Sequence, residues 1–352
     1  MITNEEVLDA LRTVQDPELG QDLVSLNMIR DLRIDGERVS FTVVLTTPAC
    51  PLGMEFQERC EEAVRRLPGV REVAITMNAD VGLAWAPEHE NLVPTVKNVV
   101  AVGSVKGGVG KSTIAVNVAV AIAQSGAAVG LLDADVYGPD IPIMMGCEQA
   151  PVQTDGKFQP IVRHGVRYFS FGCLVPEETP VIWRGPLLHT GIRQLLKDVL
   201  WGELDYLIVD LPPGTGDVPL TLSQSVPLTG TVIVTTPQQA SLRVALKALK
   251  MWRQSGVPIL GLVENMSYFV CPGCGTRTDI FDSGGAERAA METSVPFLGR
   301  IPIDLRIRES GDQGHPLVLA DPQSPSAAAF RKIAAQIAAQ VSMRNLMSVG
   351  RN

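Results

Sequence analysis

A chain of 352 residues that is 45% apolar but only 5% aromatic has aliphatic material for two cores, and its formal net charge of −8 argues against a general nucleic-acid binder. Its aliphatic runs stop well short of the ~20 residues a membrane span needs, and the acidic opening MITNEEVLDA lacks the apolar segment of a secretory leader. Six cysteines over this length do not make a disulfide scaffold, so the expected compartment is a reducing cytoplasm.

Residues 1–86 read as a small α+β domain. Thr3 and Glu6 have capping-box spacing ahead of Val7, Leu8, Leu11 and Val14, which recur at helical intervals. RVSFTVVLTT predicts a strand. Leu52 to Leu67 predicts a helix with Leu52, Phe56, Cys60, Ala63 and Leu67 on one face, and VREVAITMN predicts another strand. The proline-bearing stretch APEHENLVPT marks a linker over 87–97.

From residue 98 to about 343 the pattern becomes strand–helix alternation. KNVVAVGSV, AAVGLLDAD, YLIVDLP, TGTVIVTTP and VPILGLVEN are continuous aliphatic runs, as in strands buried on both faces of a parallel sheet. The fold class expected is therefore α/β, a mostly parallel sheet flanked by helices behind a small α+β domain. Lys111 to Gln124 predicts a helix. So does Pro325 to about Met343, whose stripe of Phe330, Ile333, Ile337 and Val341 should pack on the sheet, leaving 344–352 as a flexible tail.

The stretch SVKGGVGKST lies between the first of these strands and a helix, where a phosphate-binding loop belongs. Backbone N–H groups from Gly107, Gly108, Val109 and Gly110 through Thr113 would wrap phosphates at the helix N-terminus. Lys111 is expected along the β- and γ-phosphates, Ser112 on Mg²⁺ and Thr113 at the α-phosphate. Asp210, at the end of an apolar run, is the candidate for the Mg²⁺ shell, and the glycine-rich sequel to Asp217 is a candidate mobile loop. Of Asp133 and Asp135, the latter is the better candidate to position or deprotonate the attacking water.

Cys271 and Cys274 form a C-x-x-C pair, which supplies two ligands where zinc or a 4Fe–4S cluster generally takes four. A cluster, a shared zinc and a redox disulfide are all open on chemistry alone. Cys60 reads as core, and Cys147 and Cys173 as buried thiols. Cys50 precedes a helix start, where the dipole favours thiolate. His89, His164, His189 and His315 form no metal motif with these cysteines.

KGGVGKST, DADVYGPD and VDLPPGTGD resemble the deviant-phosphate-loop ATPases of the ParA/MinD superclass. DADVYGPDIP, DLPPGTGD and ENMSYFVCPGCG resemble, within it, the Mrp/ApbC family of iron–sulfur cluster carriers, and the likeness runs from Lys97 to about Met343. The resemblance implies a homodimeric ATPase in which Lys106 reaches the partner's phosphates and Asn265 hydrogen-bonds adenine. It also implies that Cys271 and Cys274 hold a 4Fe–4S cluster between two subunits, taken from assembly donors and passed to apoproteins. Val105 departs from the pattern, since many relatives carry glycine there. DPELGQDLVSLNMI and TTPACP resemble the small domain of SufT-like assembly factors, which implies an accessory role for Cys50. Two other functions share the phosphate loop: a ParA/MinD-like positioning ATPase, which has no use for CPGC, and a zinc-stabilised ATPase switch.

Overall fold

The computed structural model describes residues 2–17, 19–50, 52–82, 91–146, 150–173, 185–214 and 217–349. The chain divides into two compact units, Met1–Gly82 with Ala338–Asn352, and Leu83–Ile337.

In the first unit the Thr3–Glu6 capping box is formed: Glu6 N donates to Thr3 Oγ1 (3.3 Å) and Thr3 N to Glu6 Oε2 (2.8 Å), opening the helix Asn4–Leu11. The strand Arg38–Leu45 buries alternate residues Val39, Phe41, Val43 and Leu45, the period-two pattern of a sheet with one covered face. It pairs antiparallel with Ile29–Asp35 and parallel with Glu72–Ala79. The helix Gly53–Arg65 supplies the crossover a parallel pair requires, and its Phe56, Cys60 and Val64 close the core. The long helix Pro325–Val349 continues six residues beyond the end expected from its apolar stripe. Its last turns belong to this unit: Ser342 Oγ donates to Thr46 O (3.3 Å) and Asn345 Nδ2 to Gly82 O (2.8 Å), so residues 344–349 are helical rather than tail.

The second unit is built on eight strands in the order Ile161–Arg163, Val166–Ser170, Val129–Asp133, Leu204–Asp210, Val96–Gly103, Leu228–Thr235, Ile259–Glu264, Phe297–Arg300. Within this sheet, among the described residues, only the pairing of Ile161–Arg163 with Val166–Ser170 is antiparallel. The central strands are buried along almost their whole length, as their unbroken aliphatic runs require. Register then sets the chemistry. Ser170 pairs with Asp133, Asp133 with Asp210, and Asp210 with Val102, so the polar ends of three strands line up at the carboxyl edge beside the strand that feeds the phosphate loop. Ligands of open α/β sheets bind outside that edge.

Candidate functional site

The strand Val96–Gly103 ends in the loop and the helix Lys111–Gln124 leaves it. That helix buries Ile114, Ala115, Val116, Val118 and Val120 around its circumference, which fixes its axis inside the unit. Its N-cap, Gly110, has φ 81° and no side chain to accept the first free N–H groups, which leaves them for an anion. A Cβ at Gly110 would run into Asn265 Nδ2, which donates to Val109 O at 2.8 Å. Asn265 thus braces the loop from the end of Ile259–Glu264, two strands along the sheet. Val105 packs half-buried against the apolar core, so the position that departs from glycine serves the interior. Lys106 is exposed and makes no ion pair among the described residues.

Lys111 and Ser112 are buried and meet the carboxylate row. Lys111 Nζ lies 2.7 Å from Asp210 Oδ1, 3.2 Å from Ser112 Oγ and 3.7 Å from Asp135 Oδ2. Ser112 Oγ donates to Asp210 Oδ2 at 2.6 Å. Asp133 does not face the lysine. Its Oδ2 accepts from Ser170 Oγ (2.7 Å) and its Oδ1 from Asp135 N (3.1 Å), so it holds the backbone that presents Asp135.

Burial pushes all three carboxyls above their ordinary range: Asp133 well above, with the charge of Asp210 adding to it, and Asp210 and Asp135 against the pull of Lys111. Two buried carboxylates, Asp210 and Asp135, share one ammonium, and among the described residues Asp135 Oδ1 has no hydrogen-bond partner. A divalent cation would relieve that excess of negative charge, and the Ser112 hydroxyl and Asp210 carboxylate are oxygen donors of the kind Mg²⁺ takes.

Beside the loop, Gly110, Thr113, Asn265, Ile280, Phe281 and Pro302 are among the walls of a cleft of about 720 Å³. A short hairpin, Phe269–Val270 with Arg277–Thr278, carries Cys271 and Cys274 at its turn. Gly275 N donates to Cys271 O (2.8 Å), Cys271 N donates to Thr276 O (3.0 Å), and Gly275 closes the turn at φ 72°. Cys271 is half-buried and Cys274 exposed. The Thr276 hydroxyl, 3.3 Å from Cys274 Sγ, is the largest of several groups that hold this thiol below its ordinary pKa; the Thr276 backbone and Cys271 add to it. No group of three or more potential metal ligands occurs among the described residues.

The remaining cysteines lie apart from this site. Cys60 is fully buried, and burial pushes its thiol up to about 12, which suits a core residue. Cys173 is half-buried at the end of a short turn rather than fully buried as expected. Cys50 is half-buried in the first unit, where Asp16, Met28, Thr47 and Ser342 help it line a cavity of about 10 Å³, room for about one water. Cys147, His89 and residues 215–216 of the glycine-rich loop lie outside the described residues. His164 and His315 come together, with ring centres 5.5 Å apart, and His189 pairs with Thr221.

Sequence reasoning missed two site residues. Ser170 lies 37 positions from Asp133 and is joined to it only by sheet register. Glu264, fully buried at the end of its strand, accepts from Ser267 Oγ (2.5 Å), Gly284 N (2.8 Å) and Ala286 N (2.7 Å). A lone glutamate closing the aliphatic run VPILGLVEN was the available signal.

Comparison with known proteins accords with this geometry. A family profile described as NUBPL iron-transfer P-loop NTPase matches residues 95–338, and one described as iron-sulfur cluster assembly protein matches residues 4–76. The chain is 54% identical to an iron-sulfur cluster carrier protein of Synechocystis, covering 99% of this chain and 100% of the relative. It is 39% identical to the Escherichia coli protein of that name, covering 95% and 91%. Among solved structures, a nucleotide-binding protein from Archaeoglobus fulgidus in complex with ADP superposes with a TM-score of 0.57 at 41% identity, over 63% of this chain and 88% of that one. The cell division ATPase MinD of Pyrococcus furiosus shares the fold, with a TM-score of 0.54 at 24% identity over 68% and 98%. Full-length likeness to carrier proteins, on a scaffold with a formed phosphate loop, places this chain in the NUBPL iron-transfer P-loop NTPase family.

Proposed function

We propose that the protein is an ATP-hydrolysing carrier that holds an iron–sulfur cluster between two copies of itself and delivers it to apoproteins. The observation that carries the reading is a pair of cysteines, Cys274 exposed and Cys271 half-buried, with no third ligand among the described residues of a chain whose phosphate loop is fully formed. A second copy would complete a set of four thiolates. Such a cargo site is open to solvent on its rim, which suits loading and release better than a closed cage.

In the nucleotide site Lys111 is tied to Asp210. An incoming phosphate offers the ammonium a stronger partner, and its departure frees Asp210 and Ser112 for Mg²⁺, which would neutralise charge on the transferring phosphoryl. The N–H groups from Gly107 to Thr113 cradle the phosphates, and Asn265 meets the adenine edge. Asp135, with its raised pKa, is a better proton acceptor than a surface carboxylate, and it orients the attacking water. Lys106, exposed and without an ion pair among the described residues, would serve as a cation donated to the partner's phosphates. The ADP held by the Archaeoglobus relative supports the nucleotide assignment.

Residues 98–343 would carry this chemistry, and residues 1–86 would help with transfer, Cys50 included. Donor and recipient proteins are the expected partners, and the cytoplasm the expected site of action. No helix among the described residues is long and apolar enough to cross a membrane.

The test is transfer: cluster-loaded protein is mixed anaerobically with a recipient apoprotein and the recipient's spectrum is followed. Recovery of the recipient's cluster, lost in Cys271→Ser/Cys274→Ser, supports the reading. Stable zinc at the cysteines with no transfer would favour the ATPase switch.

A further inference from the structure

The loop that presents the cysteines has a second face. It leaves the sheet at Asn265, the residue that braces the phosphate loop, and ends at Gly284, the N-cap of the helix Gly285–Thr293. Its neck is closed by one buried carboxylate, since Glu264 accepts from Ser267 on the way out and from Gly284 and Ala286 on the way back. Ser267 Oγ and Ser283 Oγ lie 3.3 Å apart across that neck.

Within the loop, Arg277 joins the hairpin to residues 279–283. It stacks over Tyr268 at 4.2 Å and donates to Asp279 Oδ1 (3.0 Å) and Ser283 Oγ (3.2 Å). The hairpin and residues 279–283 are therefore tied together. Ile280 and Phe281, which follow directly, are 52% and 39% exposed, and both line the cleft that contains Gly110, Thr113 and Asn265. Large apolar side chains in the same cleft as a phosphate loop offer an apolar face, and the flat purine of a nucleotide anchored in that loop is chemically suited to it. Two non-glycine residues in left-handed backbone, Met266 (φ 54°) and Asp282 (φ 73°), bound the segment and mark where it can turn.

We infer that Ile280 and Phe281 form the wall against which the nucleotide's base packs, so that the loop holding Cys271 and Cys274 changes its exposure when the cleft fills. This rests on the proposed nucleotide site and adds to it a route from base to cysteines that bypasses the glycine-rich loop after Asp210.

The test uses full-length apoprotein, with and without saturating MgADP. Iodoacetamide labelling of Cys271 and Cys274 is read by peptide mass spectrometry, and ADP affinity by calorimetry. In wild type and in Phe281→Leu, MgADP changes the labelling rate by about fivefold or more, the lower end of ordinary coupling between sites. In Ile280→Ser/Phe281→Ser the affinity falls by about tenfold, as loss of apolar contact predicts, and the labelling rate at saturation moves by less than about twofold.

Equal responses in wild type and the double variant, whether both change or neither does, overturn the inference, because protection would then come from pairing of two copies or not occur. Failure of wild type to bind ADP overturns the nucleotide site itself, and calorimetry separates the two outcomes. The substituted side chains lie at the surface, and Phe281→Leu retains the wall should the double variant misfold.

Discussion

Gly110→Ala is the sharpest test of how the phosphate loop is held. Gly110 sits at φ 81°, where an alanine costs about 1–2 kcal/mol relative to its relaxed backbone. The new Cβ would also run into Asn265 Nδ2, so Asn265 must release Val109 O, a hydrogen bond worth about 0.5–1.5 kcal/mol. The variant relieves both by letting the loop shift when empty, and the nucleotide must then restore the cradle. The combined cost of roughly 1.5–3.5 kcal/mol translates to ADP binding weaker by roughly 10- to 300-fold. Titration calorimetry with MgADP measures this, and thermal melting shows whether the sheet remains intact. An affinity within about threefold of wild type would refute the reasoning, since neither the strain nor the brace would then matter to binding.

Further expectations rest on separate observations. Lys106→Ala should leave ADP affinity nearly unchanged while lowering kcat by about 10³-fold or more, the scale of a cation supplied in trans; wild-type turnover would remove Lys106 from the chemistry. Asp133, whose folded pKa is raised well above its unfolded value, binds its proton more tightly when folded. Its burial therefore costs stability that appears as pH rises from the ordinary carboxylate range towards the folded pKa. Asp133→Asn should raise the Tm of nucleotide-free protein at pH 7 by about 2–4 °C for each kcal/mol recovered and flatten its pH dependence; an unchanged or lower Tm would contradict this. Labelling of Cys274 should titrate below an ordinary thiol, and Thr276→Val should move that midpoint up; an unmoved midpoint would exclude the hydroxyl as its cause.

The parts of the site legible in the sequence are those the chain encodes locally. SVKGGVGKST, the helix from Lys111 and the hairpin CPGC each need only neighbours to take shape, and the strand ends at Asp133 and Asp210 follow where aliphatic runs stop. What stayed hidden depends on register and return paths. Ser170 meets Asp133 because two parallel strands align there, and Glu264 finds two of its three donors about 20 residues downstream. The different surroundings of Asp133 and Asp135 depend on register too, since only the folded row shows which carboxylate accepts from Ser170 and which lies near Lys111. The long C-terminal helix shows the limit of periodicity. Its stripe of Phe330, Ile333, Ile337 and Val341 is buried throughout, yet the first three belong to one unit and Val341 to the other, a division no spacing marks.

The central claim is that two copies of this chain share one cluster through Cys271 and Cys274. Anaerobic reconstitution with iron and sulfide, scored by Mössbauer and visible spectroscopy on protein of measured oligomeric state, tests it most directly. The account predicts about one 4Fe–4S cluster per dimer in the wild type and none in Cys271→Ser/Cys274→Ser. A cluster retained by that variant, or a full cluster on an isolated monomer, would contradict it.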